Sequence, residues 1–258
     1  MTSAGAYRLA AAAKPAVALL LFLLLWQFGA GPAGIPGYVL PLPSEILSRF
    51  WETRTAQLQQ LGYTALTTLL GLALALSAGV FLALTVVYFK GLRSIVLPAL
   101  AAFNSIPKIA VAPLLAIWFG LGLESKVVMA FLLAIFPIFV NSVTGLGEIE
   151  PDLLDLSRLS GGTPWRIFLK LRLPHATPYI ADATKIAFPL ALVGSIVGEF
   201  IGGNTGAGYL VLSAQVTIDT PLVFATLLSI TIFAVIGIGA IALFERLFLA
   251  WRPSVRAQ

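Results

Sequence analysis

The sequence contains no cysteine and a single histidine, His175, and Asp, Glu, Lys and Arg together make up only 10% of its 258 residues. Without cysteine there is no disulfide, no thiolate nucleophile and no Cys-ligated metal. One histidine leaves nothing from which a histidine-built centre can be assembled within one chain. The scarcity of charge excludes more. A soluble domain is about 45–50% apolar and about 25% charged, whereas this chain is 59% hydrophobic with a mean hydropathy of +0.97. Its charged side chains are too few to cover a water-facing surface. Disorder is excluded by the abundance of Leu, Ile, Val and Phe, and a collagen-like chain by the lack of a glycine period. What remains is a polytopic membrane protein. The net charge of +5 would alone suggest nucleic acid. The basic residues, however, stand between apolar segments, as they do in a protein orienting itself in a bilayer, so no nucleic acid is expected.

A crossing needs about 20 mostly apolar residues, because about 30 Å of hydrocarbon is spanned at 1.5 Å per residue. Six such stretches are expected, over 15–29, 63–88, 94–119, 125–145, 180–200 and 222–245. They must be helical, since hydrocarbon offers no partner to a free N–H or C=O; the expected fold is an all-α helical bundle in a single domain over residues 1–258. The interval 200–218 is read as non-helical because Gly202, Gly203, Gly206 and Gly208 interrupt it. With the N-terminus inside, Arg8, Lys14, Lys90, Arg93, Arg158, Arg166, Lys170, Arg172, Lys185, Arg246, Arg252 and Arg256 fall on the cytoplasmic side. Arg49, Arg54 and Lys126 fall outside, and Lys108 lies within the third crossing. That asymmetry orients the chain with both termini cytoplasmic. The first apolar stretch also has the build of a signal peptide, with small residues near Ala30. Its removal would leave five crossings and put the basic loops on the wrong side, so it is read as a retained span.

Between the first two crossings, 30–62 is an outer segment, extended where Gly and Pro are dense. It then carries a short helix with Ile46, Leu47, Phe50 and Trp51 beside Arg49, Glu52 and Arg54, with Ser44 as its N-cap. Two readings stand for that helix: one lying in the outer interface, and one packed on the bundle. Gly71 and Gly79 in the second crossing suit close helix contact. The polar interval 146–179 is the one long cytoplasmic loop. Its acids (Glu148, Glu150, Asp152, Asp155) come early and its bases (Arg158, Arg166, Lys170, Arg172) late, which suits a helix starting after Pro151. Gly161-Gly162 breaks that helix, Thr163 caps the next with Pro164 in its first turn, and Leu173-Pro174 ends it. Trp165, Phe168 and Leu169 give the second helix an apolar face, so the loop reads either as a docking surface for a soluble partner or as a structural turn.

Asp155-Leu156-Ser157, Gly161, Leu171 and Leu173-Pro174 fit the spacing of the coupling-loop motif of bacterial ABC importer inner-membrane permeases. That motif is Glu-Ala-Ala, three residues, Gly, nine residues, Ile, one residue, Leu-Pro. The chain departs from it in Asp155 for Glu, in Leu156 and Ser157 for the alanines, and in Leu171 for Ile. The bulkier Leu156 alters the local fit most. Further along, Leu40-Pro41-Leu42-Pro43-Ser44, Ile106-Pro107-Lys108 with Ala112-Pro113-Leu114 and Trp118-Phe119-Gly120, Phe136-Pro137, and Glu199 followed by Gly206-Ala207-Gly208-Tyr209-Leu210 resemble segments of the nitrate, sulfonate and taurine branch. The likeness runs over 35–250.

The resemblance implies a permease subunit of the bacterial inner membrane that imports a small anion or organic acid. It further implies a second copy of the chain, two cytoplasmic ABC ATPase subunits, and a periplasmic or lipid-anchored solute-binding protein. ATP and magnesium would be held by the ATPase. This chain has no Gly-x-x-x-x-Gly-Lys-Ser/Thr phosphate loop, so neither a cofactor nor an enzymatic activity is expected in it. Asp155, Leu156, Ser157, Gly161, Trp165, Leu171, Leu173 and Pro174 are the expected ATPase-coupling residues, with Gly161 needing a left-handed backbone. Asn104, Lys108 and Glu199 are the polar groups of the spans that fit a translocation path or gate. Each also has a structural reading; for Glu199 it is capping the Gly-rich outer loop. Asp182 and Lys185 are spaced to pair, and Asn141 to make a helix–helix or helix-end bond. A secondary transporter or channel and a membrane enzyme are the competing classes. The first would show broken helices with more intramembrane charge, and the second a convergent acid, His or Cys centre.

Overall fold

The structure, a computed structural model, describes residues 3–29, 32 and 34–249. Ala30, Arg252 and Arg256, on which parts of the orientation and leader readings rest, lie outside the described residues. The described chain is helical: α1 (Ser3–Gly29), α2 (Pro43–Glu52), α3 (Arg54–Tyr88), α4 (Lys90–Ser105), α5 (Lys108–Phe119), α6 (Leu123–Gly147), α7 (Pro151–Leu159), α8 (Pro164–Ile167), a π-helical turn (Phe168–Arg172), α9 (Leu173–Gly202), α10 (Ala207–Val216) and α11 (Thr220–Phe248).

Among the described residues, four stretches are long and apolar enough to cross a bilayer: Arg54–Tyr88, Leu123–Gly147, Pro164–Gly202 and Thr220–Phe248. A fifth is made by α4 and α5 if the bent pair counts as one span. The third crossing, expected over 94–119 and prone to kinks at Pro98, Pro107 and Pro113, is thus two helices rather than one. It breaks at Ile106, whose ψ of 132° is extended, and the two arms meet at 92°. The residue before a proline is pushed out of the helical region, and Pro107 supplies that push. A second difference is α10, which occupies most of the interval expected to be non-helical. Its glycines interrupt only the turn before it, where Gly206 has φ +106°.

Contacts divide the chain into two compact units, Met1–Gln59 with Leu210–Ser229, and Gln60–Tyr209 with Ile230–Gln258. In the first, α2 starts two residues earlier than the expected Ser44 cap implies. Leu42 is the N-cap, Pro43 is the first helical residue, and Glu45 Oε2 accepts the Leu42 N–H at 2.9 Å. Ser44 instead bonds Gln27 of α1 through both its N–H and its hydroxyl, each at 3.0 Å. Ile46 is buried, while Leu47 and Trp51 are exposed. Arg49 reaches Asp219, the residue ahead of α11, at 2.5 Å, and Glu52 at 3.0 Å. The hydrogen bond to Asp219, then that to Glu52, hold the guanidinium above its ordinary pKa.

The second unit is built on the antiparallel seam of α6 and α9. Ala130, Ala134, Ala183, Ala187 and Ala191 are fully buried there with Ile138 and Phe188, and Leu72 and Ala75 of α3 join the same core. Small residues suit a seam in lipid, where helices gain by close van der Waals contact rather than by leaving water. Gly194 shows the constraint. A Cβ on it would lie 2.7 Å from the Cα of Ala130 and 2.7 Å from the carbonyl oxygen of Met129. The close contact expected of Gly71 and Gly79 is with α6, at Val127–Ala130 and at Ile138.

Candidate functional site: the segment between α6 and α9

Pro151 opens α7 and Asp152 lies in its first turn, Arg158 in its last, as the helix dipole favours. α7 buries none of its residues. Leu156 is 62% exposed and Leu159 87%, and Leu153 is also exposed, so one edge of this short helix presents leucines to its surroundings. Asp155 and Arg158 pair at 3.1 Å while both remain exposed. Ser160 Oγ donates to the Leu156 carbonyl at 2.8 Å, and the Gly162 N–H closes onto Ser157 O at 2.9 Å. Gly161 has φ +76° and open space around it, so the left-handed turn expected there is present. Thr163 caps α8 as expected, its hydroxyl accepting the Arg166 N–H at 3.4 Å.

Beyond Thr163 the expectation needs correcting. Leu173-Pro174 does not end a helix: α8, the π turn and α9 form one uninterrupted helix of 39 residues, Pro164–Gly202. Pro174 has no N–H and crowds the carbonyl four residues back. The π turn accommodates this by inserting a residue, with the Leu173 N–H bonding Phe168 O. At 1.5 Å per residue the helix is about 58 Å long, far more than about 30 Å of hydrocarbon requires. Trp165 is exposed and stacks on Phe168 at 5.7 Å; Leu171 is half-buried in the π turn; Leu173 and Pro174 are exposed on the helix. The expected coupling residues thus divide between α7, the Gly161 turn and the base of a long helix.

Two residues that the sequence reading left without a role fasten that base. Arg172 Nη1 donates to Leu146 O at 2.6 Å, and His175 Nδ1 bonds Gly145 O at 2.7 Å, so both satisfy carbonyls in the last turn of α6. The Arg172 guanidinium also stands 5.6 Å from the Tyr88 ring centroid. The chain leaves α6 and enters the long helix at one clamped point, with residues 148–163 projecting between them.

The path candidates do not gather into one place. Lys108 is the first residue of α5, not the middle of a span, and its Nζ donates to Asn104 Oδ1 across the α4–α5 break. Asn104 is exposed and Lys108 half-exposed. Glu199 is 1% exposed and engaged by Thr64, Ser195 and Gly208. Lys126, counted above only as an outer charge, is 4% exposed and donates to Thr205 O at 3.3 Å and to its hydroxyl at 3.1 Å. Asn141 bonds Pro137 O of its own helix at 2.8 Å rather than another helix. Lys185 pairs with Asp182 at 3.4 Å, as spaced, and also with buried Glu245 of α11. Among the described residues no group of three or more His, Cys, Asp or Glu is placed to hold a metal.

Long apolar helices, with a clamped and exposed polar segment between two of them, define a multipass membrane protein. Comparison with known proteins carries this further. The chain is 35% identical to a riboflavin transport system permease protein of Chloroflexus aurantiacus, over 92% of this chain and 90% of that protein. It is 33% identical to a formylaminopyrimidine transport permease protein of Halalkalibacterium halodurans, over 93% and 96%. A putative aliphatic sulfonates transport permease protein of Bacillus subtilis is 28% identical, over 91% and 86%. The fold is similar to that of a chain of the MetNI methionine ABC transporter in an inward-facing conformation. There the TM-score is 0.53 and the identity 24%, with 74% of this chain and 96% of that chain covered. Residues 71–249 match the family described as binding-protein-dependent transport system inner membrane component, and the chain belongs to that family. It is a multipass permease subunit of an ABC importer and not an enzyme.

Proposed function

We propose that this permease forms half of the translocation path of an ATP-driven importer. A second copy forms the other half, two cytoplasmic ATPase subunits seat residues 148–165, and a periplasmic or lipid-anchored binding protein delivers the solute. The observation that carries this is the left-handed Gly161 turn, exposed between α7 and the base of the long helix. A hydrogen-bonded turn beside exposed Leu156, Leu159 and Trp165 offers a partner an apolar knob. Asp155, Leu156, Ser157, Gly161 and Trp165 make the contact. Leu171, Leu173 and Pro174 transmit it, lying on the helix that the contact would move. In this reading α1 is the sixth crossing, both termini are cytoplasmic, and α2 lies in the outer interface with Leu47 and Trp51 toward lipid.

For the solute, the identities favour a small heterocyclic vitamin or vitamin precursor, since two relatives above 30% identity are named for riboflavin and formylaminopyrimidine transport. A second reading, a small anion such as a sulfonate, taurine or nitrate, is favoured by Lys108, whose ammonium has the neutral Asn104 beside it at the α4–α5 break. Uptake into proteoliposomes containing the permease, its ATPase and its binding protein tests both levels. ATP-dependent accumulation supports the importer, and uptake indifferent to ATP refutes it. Competition by riboflavin or a pyrimidine against an alkanesulfonate decides the solute class.

A further inference from the structure

Other helices' side chains cap the start of α10. The Gly206 N–H donates to Gln60 Oε1 at 2.7 Å, the Ala207 N–H to Thr64 Oγ1 at 2.8 Å, and the Gly208 N–H to Glu199 Oε2 at 2.7 Å. Gln60 and Thr64 lie one turn apart on α3, and Glu199 lies near the end of α9. The Thr64 hydroxyl in turn donates to Glu199 Oε1 at 2.8 Å, joined by Ser195 Oγ at 3.4 Å. Thr64 and Ser195 are fully buried. The arrangement leaves Gly206 no room for a side chain, because a Cβ there would overlap the Glu199 carboxyl group.

Both oxygens of Glu199 take part in hydrogen bonds, Oε1 with two hydroxyls and Oε2 with the Gly208 N–H. Burying such a group is costly, and an apolar residue of similar size would hold three helices together at least as well. What a carboxylate adds is directional bonding to a helix N-terminus, strengthened by the dipole and exchangeable bond for bond with water. A contact built that way can open and reclose. Glu199 also sits three residues from the end of the uninterrupted helix whose first turns carry the coupling residues. A displacement at the base of that helix is therefore delivered to the bonds at its other end.

We propose that Glu199 is a positioning residue of the transport cycle. It latches the first turn of α10 to α3 and α9 in one state of the permease, and the latch opens when movement of the coupling segment reaches it. This rests on the importer reading above and removes Glu199 from the solute path. The test compares wild type, Glu199→Gln and Thr64→Val in proteoliposomes with the ATPase and binding protein. Solute accumulated, ATP hydrolysed and thermal midpoint are measured together. Gln keeps the volume and one acceptor oxygen but loses the charge, and the expected result is a fall of about tenfold or more in solute moved per ATP. ATP hydrolysis without binding protein should stay within about twofold of wild type. A lower thermal midpoint with an unchanged ratio of solute to ATP would overturn the latch in favour of a static cap. Should Glu199→Gln not assemble, Thr64→Val decides by the same ratio, since it removes the donor to Glu199 and the acceptor of the Ala207 N–H but keeps the Gly208 bond. Absence of ATP-driven uptake by the wild-type complex removes the importer reading, and the latch with it.

Discussion

Replacing Gly161 separates backbone conformation from contact. At φ +76° an added Cβ meets nothing within 4 Å, so the first cost of a substitution there is the strain of the left-handed region. For an L-residue that strain is about 1–2 kcal/mol, or about 5- to 30-fold in an equilibrium constant, since 1.4 kcal/mol is tenfold. If the ATPase binds the turn only in this conformation, the whole penalty appears as lost affinity. Asn visits the left-handed region more readily than Ala, and a β-branched residue least readily. Titrating the ATPase against reconstituted permease should therefore rank Gly above Asn, Asn above Ala and Ala above Val, with Gly161→Val abolishing co-purification. Gly162 is the steric contrast, because a Cβ there would stand 2.6 Å from Ser157 O. Undiminished binding by Gly161→Val, or Asn weaker than Val, would refute the reasoning.

Arg172→Ala removes a charged hydrogen bond to Leu146 O and the contact with Tyr88, and should cost about 1.5–3 kcal/mol. Limited proteolysis of 148–163 should quicken, while Arg172→Lys retains part of the protection. Gly194→Val drives a side chain into the backbone of Met129 and Ala130 and should lower the thermal midpoint in detergent by the equivalent of about 1–3 kcal/mol. Gly239→Ala, with nothing within 4 Å of the new methyl, should leave that midpoint unchanged.

What local chemistry dictates could be read in advance. Pro151 opening α7, the turn at Gly161, the Thr163 cap and the Asp182–Lys185 pair all depend on residues a few positions apart. Proline was legible only in part, since a kink was expected at Pro107 but a helix end at Pro174. Pro107 breaks a span and Pro174 does not end a helix, although each is preceded by an apolar residue. The difference lies in whether the backbone can reroute its hydrogen bonds, as the π turn at Phe168–Arg172 does. Glu199 capping the Gly-rich interval was read in advance and is present in its bond to the Gly208 N–H, but the rest of its network was invisible for another reason. Gln60 and Thr64 stand more than a hundred residues from the groups they bind, and no local pattern marks them. The Gly-rich interval before Tyr209 read as loop because its helix depends on caps from those distant side chains.

Coupling requires residues 148–165 to face the cytosol, where a separate ATPase can engage them. Because the chain has no cysteine, Trp165→Cys is a single reporter at an exposed site. A membrane-impermeant maleimide added to intact spheroplasts should leave it unlabelled, and labelling should appear after permeabilisation and be blocked by bound ATPase. Labelling from outside intact spheroplasts would contradict the orientation and the coupling derived from it.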